Sequence, residues 1–274
     1  MAQDEFEQVR AERDPLRQAQ RATELLALYQ QRGVELARLR KEAIDRAAHD
    51  LGMSYTAVAA KIGLSKGRIT QIRQTAPPAE RAFFGVGPVT VAVPLRRMDG
   101  RSAGVIARED AASAEQLTAL LAALQLQVQQ FHIPTNGDWT PKGDTVAICG
   151  PKSSHVTAEA IEADPLLTFG RDDDGRWALR DKATGQHFNS PMDEGSTDED
   201  LAYLARLPYR DGTLLVIAGI HALGSHGAVE YLASNLPTLY KTLGTQSFSA
   251  VVRCRVEDGK VLEAEAVWGP RAHA

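Results

Sequence analysis

Seven polar side chains fall within ten consecutive residues near the end of the first third of the chain. Arginine and lysine can hydrogen-bond to guanine edges or phosphates, glutamine to adenine edges, and serine and threonine to either. Ile69 and Ile72 lie among them, so one face of a helix would be apolar and the others polar. This pattern is typical of a helix that enters the major groove of double-stranded DNA. The seven candidate DNA-binding residues are Ser65, Lys66, Arg68, Thr70, Gln71, Arg73 and Gln74.

Two short predicted helices joined by a tight turn would position these side chains. Ser54 can cap the first helix and Ser65 the second, because a serine hydroxyl accepts a hydrogen bond from free N–H groups of the first turn. Gly63 suits the turn, since glycine adopts the left-handed backbone conformation without strain. The sequence therefore predicts a helix-turn-helix motif over residues 54–74. The first helix carries the apolar residues Val58, Ala59 and Ile62, and Ala59 is small enough for the two helices to cross closely. The residues expected to fill the wedge between the helices are Leu64, Ile69 and Ile72.

The motif resembles a known family of DNA-binding units. The run Gly63–Ile72 is similar to the helix-turn-helix of the repressor and sigma-factor region 4 superfamily, particularly in actinobacterial regulators. The resemblance covers about residues 34–76. A helical hairpin that makes only protein contacts is the alternative interpretation of the same pattern. By position, the resemblance implies DNA contact by Lys66, Arg68, Thr70 and Gln71.

The preceding sequence predicts two further helices. Asp14 can cap a helix that begins at Pro15, and this helix is expected to end near Gly33. A second helix, from Val34 to Gly52, has apolar residues at intervals of three and four, which place them on one face. That face either packs within the chain or forms the seam of a homodimer. Its residues are Leu36, Leu39, Ala43, Ala47 and Leu51.

A homodimer is also expected from the size of the motif. One helix-turn-helix contacts only a few base pairs, so specific affinity usually requires two units on a near-palindromic site. Charge is divided unequally, because residues 1–84 carry a net charge of +3 and residues 85–274 a net charge of -7. Such a division is expected when only the first part of a chain meets a polyanion.

The pattern changes after the two prolines at 77 and 78, where short β-rich runs begin to alternate with helices. This alternation predicts a parallel or mostly parallel sheet between layers of helices. We therefore expect two domains, a helical region over residues 1–80 and a Rossmann-like α/β domain over residues 81–274. The predicted strands are 89–94, 128–133, 145–149, 177–180, 214–218, 248–256 and 261–267, and the predicted helices are 111–126, 154–162 and 227–243.

Two loops have residues suited to ligand binding, and both follow predicted strands. In α/β sheets, ligands lie at the carboxyl ends of strands. The first loop, residues 149–154, combines a glycine, a lysine and serines directly before a helix, where an anion is favoured. Its spacing is not that of a Walker loop. The residues predicted to bind ligand are Gly150, Lys152, Ser153 and Ser154.

The second loop, residues 218–227, contains three glycines, a serine and two histidines. A phosphate or ribose cradle is predicted, although the glycine spacing is not the dinucleotide fingerprint. Simple turn chemistry is the alternative for both loops. A rigid turn after Pro191 could bring an aspartate to the same edge, where it would suit a ribose hydroxyl or a cationic group. The ligand residues predicted here are Asp193, Gly219, His221, Gly224, Ser225 and His226.

Other site chemistry has weaker support in the spacing of residues. His221 and His226 lack a third ligand at a supporting interval, so neither a metal nor a cofactor is implied. Ser225, His221 and Asp193 could in principle form a triad, but the Gly-x-Ser-x-Gly elbow is missing. The three aspartates at 172–174 are expected at the tip of a hairpin turn.

The first residues of the chain are expected to be neither a signal peptide nor a transit peptide. They mix both charges and contain no apolar segment, and no window approaches the roughly 18 apolar residues of a membrane span. We therefore expect a cytoplasmic protein without a membrane partner. Cys149 and Cys254 each lie in an apolar run and are expected to be buried, reduced thiols.

These patterns favour a sequence-specific, DNA-binding transcription regulator over an enzyme. Its α/β domain would sense a small anionic ligand of the nucleotide type or mediate assembly. The alternative is an enzyme that hydrolyses or transfers at an N-glycosidic bond, because the strand-loop-helix order resembles nucleoside deoxyribosyltransferases and TIR-like domains. Glu159 and Glu230 follow the two loops but fit solvent-facing helix positions, so no catalytic residue is assigned.

Overall fold

The computed structural model describes residues 2–98, 100, 104–210 and 212–274. An N-terminal helical region precedes a region of mixed α/β structure, which confirms the predicted class. Two 3₁₀ turns, Ala79–Phe84 and Pro191–Glu194, connect regular elements. The helices are α1 (Ala2–Ala11), α2 (Pro15–Asp50), α3 (Tyr55–Lys61), α4 (Lys66–Thr75), α5 (Arg108–Ala123), α6 (His155–Glu162) and α7 (Ala222–Leu243).

The strands are β1 (Val89–Pro94), β2 (Val128–Ile133), β3 (Thr145–Ile148), β4 (Leu167–Arg171), β5 (Trp177–Asp181), β6 (His187–Asn189), β7 (Glu199–Tyr209), β8 (Gly212–Gly219), β9 (Phe248–Glu257) and β10 (Lys260–Ala272). Seven of them form one sheet in the order β10-β9-β7-β8-β3-β1-β2. Strands β8, β3, β1 and β2 are parallel, whereas β7 and β10 run antiparallel to their neighbours. Strands β4, β5 and β6 form a separate antiparallel sheet.

The main sheet separates two apolar cores because successive side chains of a strand point to opposite faces. Val91 packs with residues of α5 and α7 on one face. Its neighbour Ala92 packs on the other face, with Ile161 of α6 and Phe169 of the small sheet. Helices therefore cover both faces of the sheet. The carboxyl ends of the parallel strands β1, β3 and β8 lie together at one end of it.

Four adjacent strands of the sheet are parallel, in line with the prediction, and antiparallel pairings of β7, β9 and β10 make the whole sheet mixed. Three strands were not predicted from the sequence. Strand β7 lies between β8 and β9, but it begins with two acidic residues and lacks the alternation of a half-buried strand. Its side chains are buried on both faces from Asp200 to Ala205, and Arg206 is half-buried. Short strands β4 and β6 were also missed, and α5 and α7 begin earlier than predicted, at Arg108 and Ala222.

The two helices predicted around Gly33 are one continuous helix of 36 residues. A helix of that length spans about 54 Å. Glycine in a helix interior costs only about 1 kcal/mol. Side chains on both sides of Gly33 offset that cost, because Gln31 and Glu35 both bind Arg81. The predicted break was therefore wrong.

Arg81 joins this long helix to the α/β region. Its guanidinium is fully buried and donates to the side chains of Gln31 and Glu35, both at 3.2 Å. It also donates to the carbonyl oxygens of Gln125 and Val86, at 2.8 and 2.6 Å. Burial lowers the pKa of Arg81, and the nearby Glu35 carboxylate opposes that shift. The position of α2 on the α/β region is therefore specified by one buried cation.

Glu35 extends this joint to a second arginine. Arg38 donates to Glu35 at 2.7 Å and to Glu42 at 3.0 Å, and the hydrogen bond to Glu35 raises the pKa of Arg38. Arg38 also reaches the hydroxyl of Tyr240 on α7, at 3.5 Å. Arg81 and Arg38 thus connect α2 both to the segment after α5, through the Gln125 carbonyl oxygen, and to α7, through Tyr240.

A buried polar cluster fastens the C-terminal end of the chain. Asp164 accepts hydrogen bonds from the hydroxyls of Tyr203 and Ser249. The Nε2 atom of His273 lies 2.7 Å from Ser249 Oγ and 3.6 Å from an Asp164 oxygen. Because the Ser249 proton is directed to Asp164, His273 must donate through Nε2, which the neutral imidazole can do.

This cluster predicts an acid-sensitive contribution to stability. Burial lowers the pKa of His273 below its usual value near 6.5, against the opposing charge of Asp164. The unfolded chain therefore binds a proton more readily than the folded one, so stability falls as the pH decreases below about 6.5. We expect His273→Gln, which keeps a donor but does not titrate, to show a smaller loss of melting temperature between pH 7.5 and 5.5. Equal losses in both proteins would contradict this assignment.

Two smaller predictions are confirmed. Residues 171–177 form the predicted hairpin, with Gly175 in the left-handed conformation at its tip. Cys149 and Cys254 are both buried and unpaired. Burial raises the pKa of each thiol to about 12, so neither is a thiolate near neutral pH.

Candidate DNA-binding unit and ligand cavity

Helices α3 and α4 are two short helices separated by four residues, and both begin at a serine cap. Ser54 Oγ accepts from the Ala57 N–H at 3.2 Å, and Ser65 Oγ accepts from the Arg68 N–H at 3.2 Å. Gly63 has φ of 71°, which is the left-handed conformation expected of the turn. Both capping serines and the turn glycine therefore occupy the positions predicted from the sequence.

The unit has its own small core, to which α2 contributes. The turn between α3 and α4 leaves Leu64 half-buried against this core. Ile62, at the C-cap of α3, is 48% exposed. Because Ile44 of α2 packs in this core, α3 and α4 are held against α2. The apolar side of α4 faces this core, and its polar side faces outward. The buried residues are Ile44, Val58, Ala59, Ile69 and Ile72.

All seven predicted DNA-binding side chains are exposed, on α4 or at its cap. Arg68 and Gln71 lie one turn apart, and the Arg68 guanidinium donates to Gln71 Oε1. Two side chains with complementary base-reading chemistry therefore share one exposed face.

Arg73 is engaged within the protein. Its Nε donates to Asp45 Oδ1 at 2.8 Å, and its guanidinium stacks on Tyr55, 4.1 Å from the ring centroid. Asp45 also accepts from Lys41 and Tyr55. Partial burial raises the pKa of Asp45, but the hydrogen bonds from Lys41 and Arg73 outweigh it and the net shift is downward. Arg73 thus fixes α4 against α2 and α3, a positioning role that the sequence pattern did not reveal.

The two predicted ligand loops line one cavity at the carboxyl ends of β1, β3 and β8. Its volume is about 790 Å³, which lies within the range of small-molecule sites. Loop 149–154 forms one wall and loop 218–227 another, so residues separated by about 70 positions meet. The predicted residues that line the cavity are Gly150, Lys152, Ser153, Gly219, His221 and Ser225.

Four other predicted ligand residues have roles around the cavity instead of on its wall. Ser154 is buried and caps α6 by accepting from the Thr157 N–H. His226 Nδ1 lies 3.4 Å from Ser113 Oγ, on α5. Asp193 lies beside His221. Gly224 packs against β7, where a Cβ atom added to it would lie 2.3 Å from the Leu201 carbonyl oxygen. The close packing of α7 therefore accounts for Gly224.

Asp200 occupies part of the α7 N-terminus, which the sequence interpretation had assigned to a ligand anion. Its carboxylate is fully buried and accepts from the backbone N–H groups of His221, at 2.9 Å, and Gly224, at 2.7 Å. Burial raises the pKa of Asp200, and its hydrogen bonds oppose that shift. A ligand anion in the cavity would therefore depend chiefly on side-chain cations.

The same carboxylate connects two segments at the mouth of the cavity. Asp200 Oδ1 accepts from the Ser190 hydroxyl at 2.6 Å, and Ser190 caps the 3₁₀ turn that carries Asp193. Asp193 in turn lies 2.9 Å from His221 Nε2. Asp200 thus positions both members of a His221–Asp193 pair. Ser225 Oγ accepts from the Gly219 N–H, so it is not aligned with His221 as a nucleophile.

Residues outside the two loops complete the cavity. Arg96 and Arg97 follow β1, and the Arg96 guanidinium pairs with buried Asp110 at 2.7 Å. No carboxylate of the described residues lies within salt-bridge distance of Arg97 or Lys152. Aromatic and apolar side chains also line the cavity, which the sequence did not reveal because they come from the small sheet and a distant turn. These are Phe169, Trp177 and Met192.

In the described residues, no group of three His, Cys, Asp or Glu side chains is arranged to hold a metal ion. None of the described helices has an apolar stretch long enough to cross a bilayer. No family model matches the chain, and neither a curated protein nor a solved structure does so. The function is therefore inferred from the residues and their geometry.

Proposed function

We propose that this protein is a sequence-specific, DNA-binding transcription regulator. The observation that carries the proposal is the exposed polar side of α4 on a capped helix-turn-helix unit. Arginine, lysine, glutamine and threonine on one short helix can supply both base contacts and phosphate contacts. The ion pair between Arg73 and Asp45 holds that helix against α2, so the reading face is preorganised.

The regulator acts as a homodimer in this proposal, since one recognition helix reads only half of a typical operator. The apolar face predicted as a dimer seam supports a second copy as the partner. Leu36 is 66% exposed and Leu39 43% exposed, and both lie on α2 shortly before the DNA-binding unit. Ala43 is exposed one turn further along. Pairing through this face would therefore set the spacing of the two recognition helices.

The α/β region is proposed to be a Rossmann-like sensing domain. Four parallel strands, with helices on both faces, support that arrangement, although three antiparallel strands extend the sheet. The cavity at the strand ends supports a small anionic ligand of the nucleotide type. Lys152 and Arg97 can bind a phosphate, and Phe169 and Trp177 can contact a planar base.

The long helix supplies a physical connection between the two proposed activities. Its N-terminal half contacts the α/β region at Arg81, and Ile44 near its other end packs in the helix-turn-helix core. A ligand alters DNA affinity only if it binds one arrangement of the regions better than another. The Arg81 joint is the contact through which such a preference would act.

Selection of random duplex DNA by the purified full-length protein tests the proposal. We expect enrichment of an inverted repeat with half-sites about one helical turn apart. Binding of the enriched sequence should exceed binding of scrambled duplex at both of two salt concentrations. Uniform, salt-sensitive binding without enrichment would overturn the sequence-specific function.

Nucleotide binding by the cavity gives a separate expected result. Each of the four ribonucleoside monophosphates would be titrated calorimetrically into the full-length protein. At least one should bind, and Lys152→Ala should weaken that binding about 10- to 100-fold, because a hydrogen bond between charged groups contributes about 1.5–3 kcal/mol. Lys260→Ala, on exposed β10, is the matched control and should have no effect. Absence of binding by all four at millimolar concentration would contradict the sensing function.

The His221–Asp193 pair favours a second candidate function, a nucleotide-processing enzyme of the N-glycosidic hydrolase or transferase type. A histidine oriented by a carboxylate at a cavity can act as a general base. Release of free base from a nucleoside monophosphate, lost in His221→Asn and retained in Lys260→Ala, would support this activity. Unchanged nucleotide after prolonged incubation would exclude it for that substrate.

A further inference from the structure

Strand β2 forms one edge of the main sheet. Among the described strands it pairs with β1 alone, in parallel register from Val128 to Ile133. The Val89 N–H donates to the Gln127 carbonyl and the Leu95 N–H to the Ile133 carbonyl, so odd-numbered residues of β2 bond inward. The backbone groups of Val128, Gln130 and His132 therefore point outward. No backbone partner for these three amides occurs in the described part of the chain.

The middle of this strand is also exposed on both faces of the sheet, whereas Val128 and Ile133 at its ends are packed inward. Four consecutive side chains, at positions 129–132, are exposed, although neighbouring β1 is almost entirely buried. Phe131 is 39% exposed and stacks against Trp139, with ring centroids 5.5 Å apart. The edge and the side chains at positions 129–132 are therefore accessible to a partner.

The opposite edge of the same sheet has the features that block edge pairing. Strand β10 carries Lys260, Glu263, Glu265 and Arg271, and its register against β9 shifts at three places. It also contains Pro270, which has no N–H to donate. Charges, bulges and proline are the usual means by which proteins protect a free edge. Strand β2, with sequence Val-Gln-Gln-Phe-His-Ile, has none of them.

We propose that β2 pairs with β2 of a second copy of this chain, in antiparallel orientation across a two-fold axis. The two seven-stranded sheets would then form one continuous sheet. This inference rests on the homodimer of the proposed function and identifies a surface for it that is separate from the α2 face.

A second copy fits this edge better than an unrelated strand for two reasons. Outward N–H and C=O groups that alternate along a strand are self-complementary when the strand is rotated by a two-fold axis. The pairing also brings no like charges of acidic or basic side chains together, since β2 contains no aspartate, glutamate, lysine or arginine. Glutamine side chains at 129 and 130 can hydrogen-bond to their own copies across the axis.

The test compares the mass of the full-length protein and its variants by sedimentation across a concentration series. Gln130→Pro removes one outward N–H and leaves the inward bonds to β1, so the fold should persist. Gln130→Ala is the matched control, because it keeps that N–H. We expect a dimer for the unchanged protein and for Gln130→Ala, and at least tenfold weaker dimerisation for Gln130→Pro.

Hydrogen exchange provides an independent reading that requires no substitution. The amides of Gln130 and His132 should exchange more slowly at concentrations where the protein is dimeric than where it is dilute. If Gln130→Pro loses its circular dichroism signal, the double variant Gln130→Lys/His132→Lys replaces it, since like charges would face each other in the pair.

The outcomes separate this inference from the proposal on which it rests. A dimer that persists in Gln130→Pro but dissociates in Leu36→Glu/Leu39→Glu would overturn the β2 pairing and retain the homodimer. A monomer at every concentration, with or without operator DNA, would overturn both. A dimer that dissociates in Gln130→Pro, with slow exchange at residues 130 and 132, would establish the continuous sheet.

Discussion

Replacing both Arg68 and Gln71 by alanine should reduce affinity for the selected DNA sequence by about 10²- to 10⁴-fold. A good bidentate contact to a base contributes about 1–3 kcal/mol of discrimination, and the two residues offer one such contact each. Both side chains are exposed on α4 and bond only to each other, so their removal leaves the core of the unit intact. Titration of labelled operator duplex measures the effect, with scrambled duplex as reference.

The matched control for this substitution is Lys260→Ala, which removes a cation from exposed β10. It should leave operator affinity unchanged. Arg68→Ala/Gln71→Ala should also keep its melting temperature, because surface substitutions usually change stability by less than about 0.5 kcal/mol. Equal weakening on operator and scrambled duplex would show that these residues contact phosphates and would contradict their role in base reading.

Replacing Arg81 by methionine should lower the free energy of unfolding by about 3–5 kcal/mol, the usual cost of breaking a buried ion pair from one side. The substitution leaves the Glu35 carboxylate without its fully buried partner and removes donors from the carbonyl oxygens of Gln125 and Val86. Methionine fills a similar volume, so most of the loss would come from unsatisfied polar groups. Urea titration, followed by circular dichroism, measures it.

Arg97→Met is the control for this prediction, because Arg97 is an exposed arginine on the same side of the domain boundary. It should change stability by less than about 0.5 kcal/mol. A separate early transition in Arg81→Met would show that the helical region detaches before the α/β region unfolds. A loss below 1 kcal/mol would mean that α2 is held by other contacts and that Arg81 is not the joint.

The two short helices α3 and α4 could be predicted from sequence because their determinants are local. The cap formed by Ser54, the left-handed turn at Gly63 and the cap formed by Ser65 each involve residues within a few positions of each other. Apolar spacing then distinguishes the inner and outer faces of α4. Contacts between elements are less evident, which is why the Arg73–Asp45 ion pair, spanning 28 positions, was not anticipated.

The cavity was predicted only in part, for the same physical reason. The two loops could be recognised because each follows an apolar strand, and parallel strands end at one edge of a sheet. Which neighbours share that edge depends on strand order, so Arg97, Phe169 and Trp177 could not be assigned to it beforehand. The occupation of the α7 N-terminus by Asp200 likewise depends on β7, which the sequence pattern failed to indicate.

Local sequence was therefore sufficient for the helical N-terminal region, the capped helices α3 and α4 and the loops that line the cavity, since caps, turns and apolar periodicity act over a few residues. Long-range packing decided the course of α2 through Gly33, the mixed sheet and the exposed edge at β2. A buried group such as Arg81 or Asp200 is stable only when partners from distant segments satisfy it. Those partners become neighbours only after the chain has folded, so its sequence alone does not identify them.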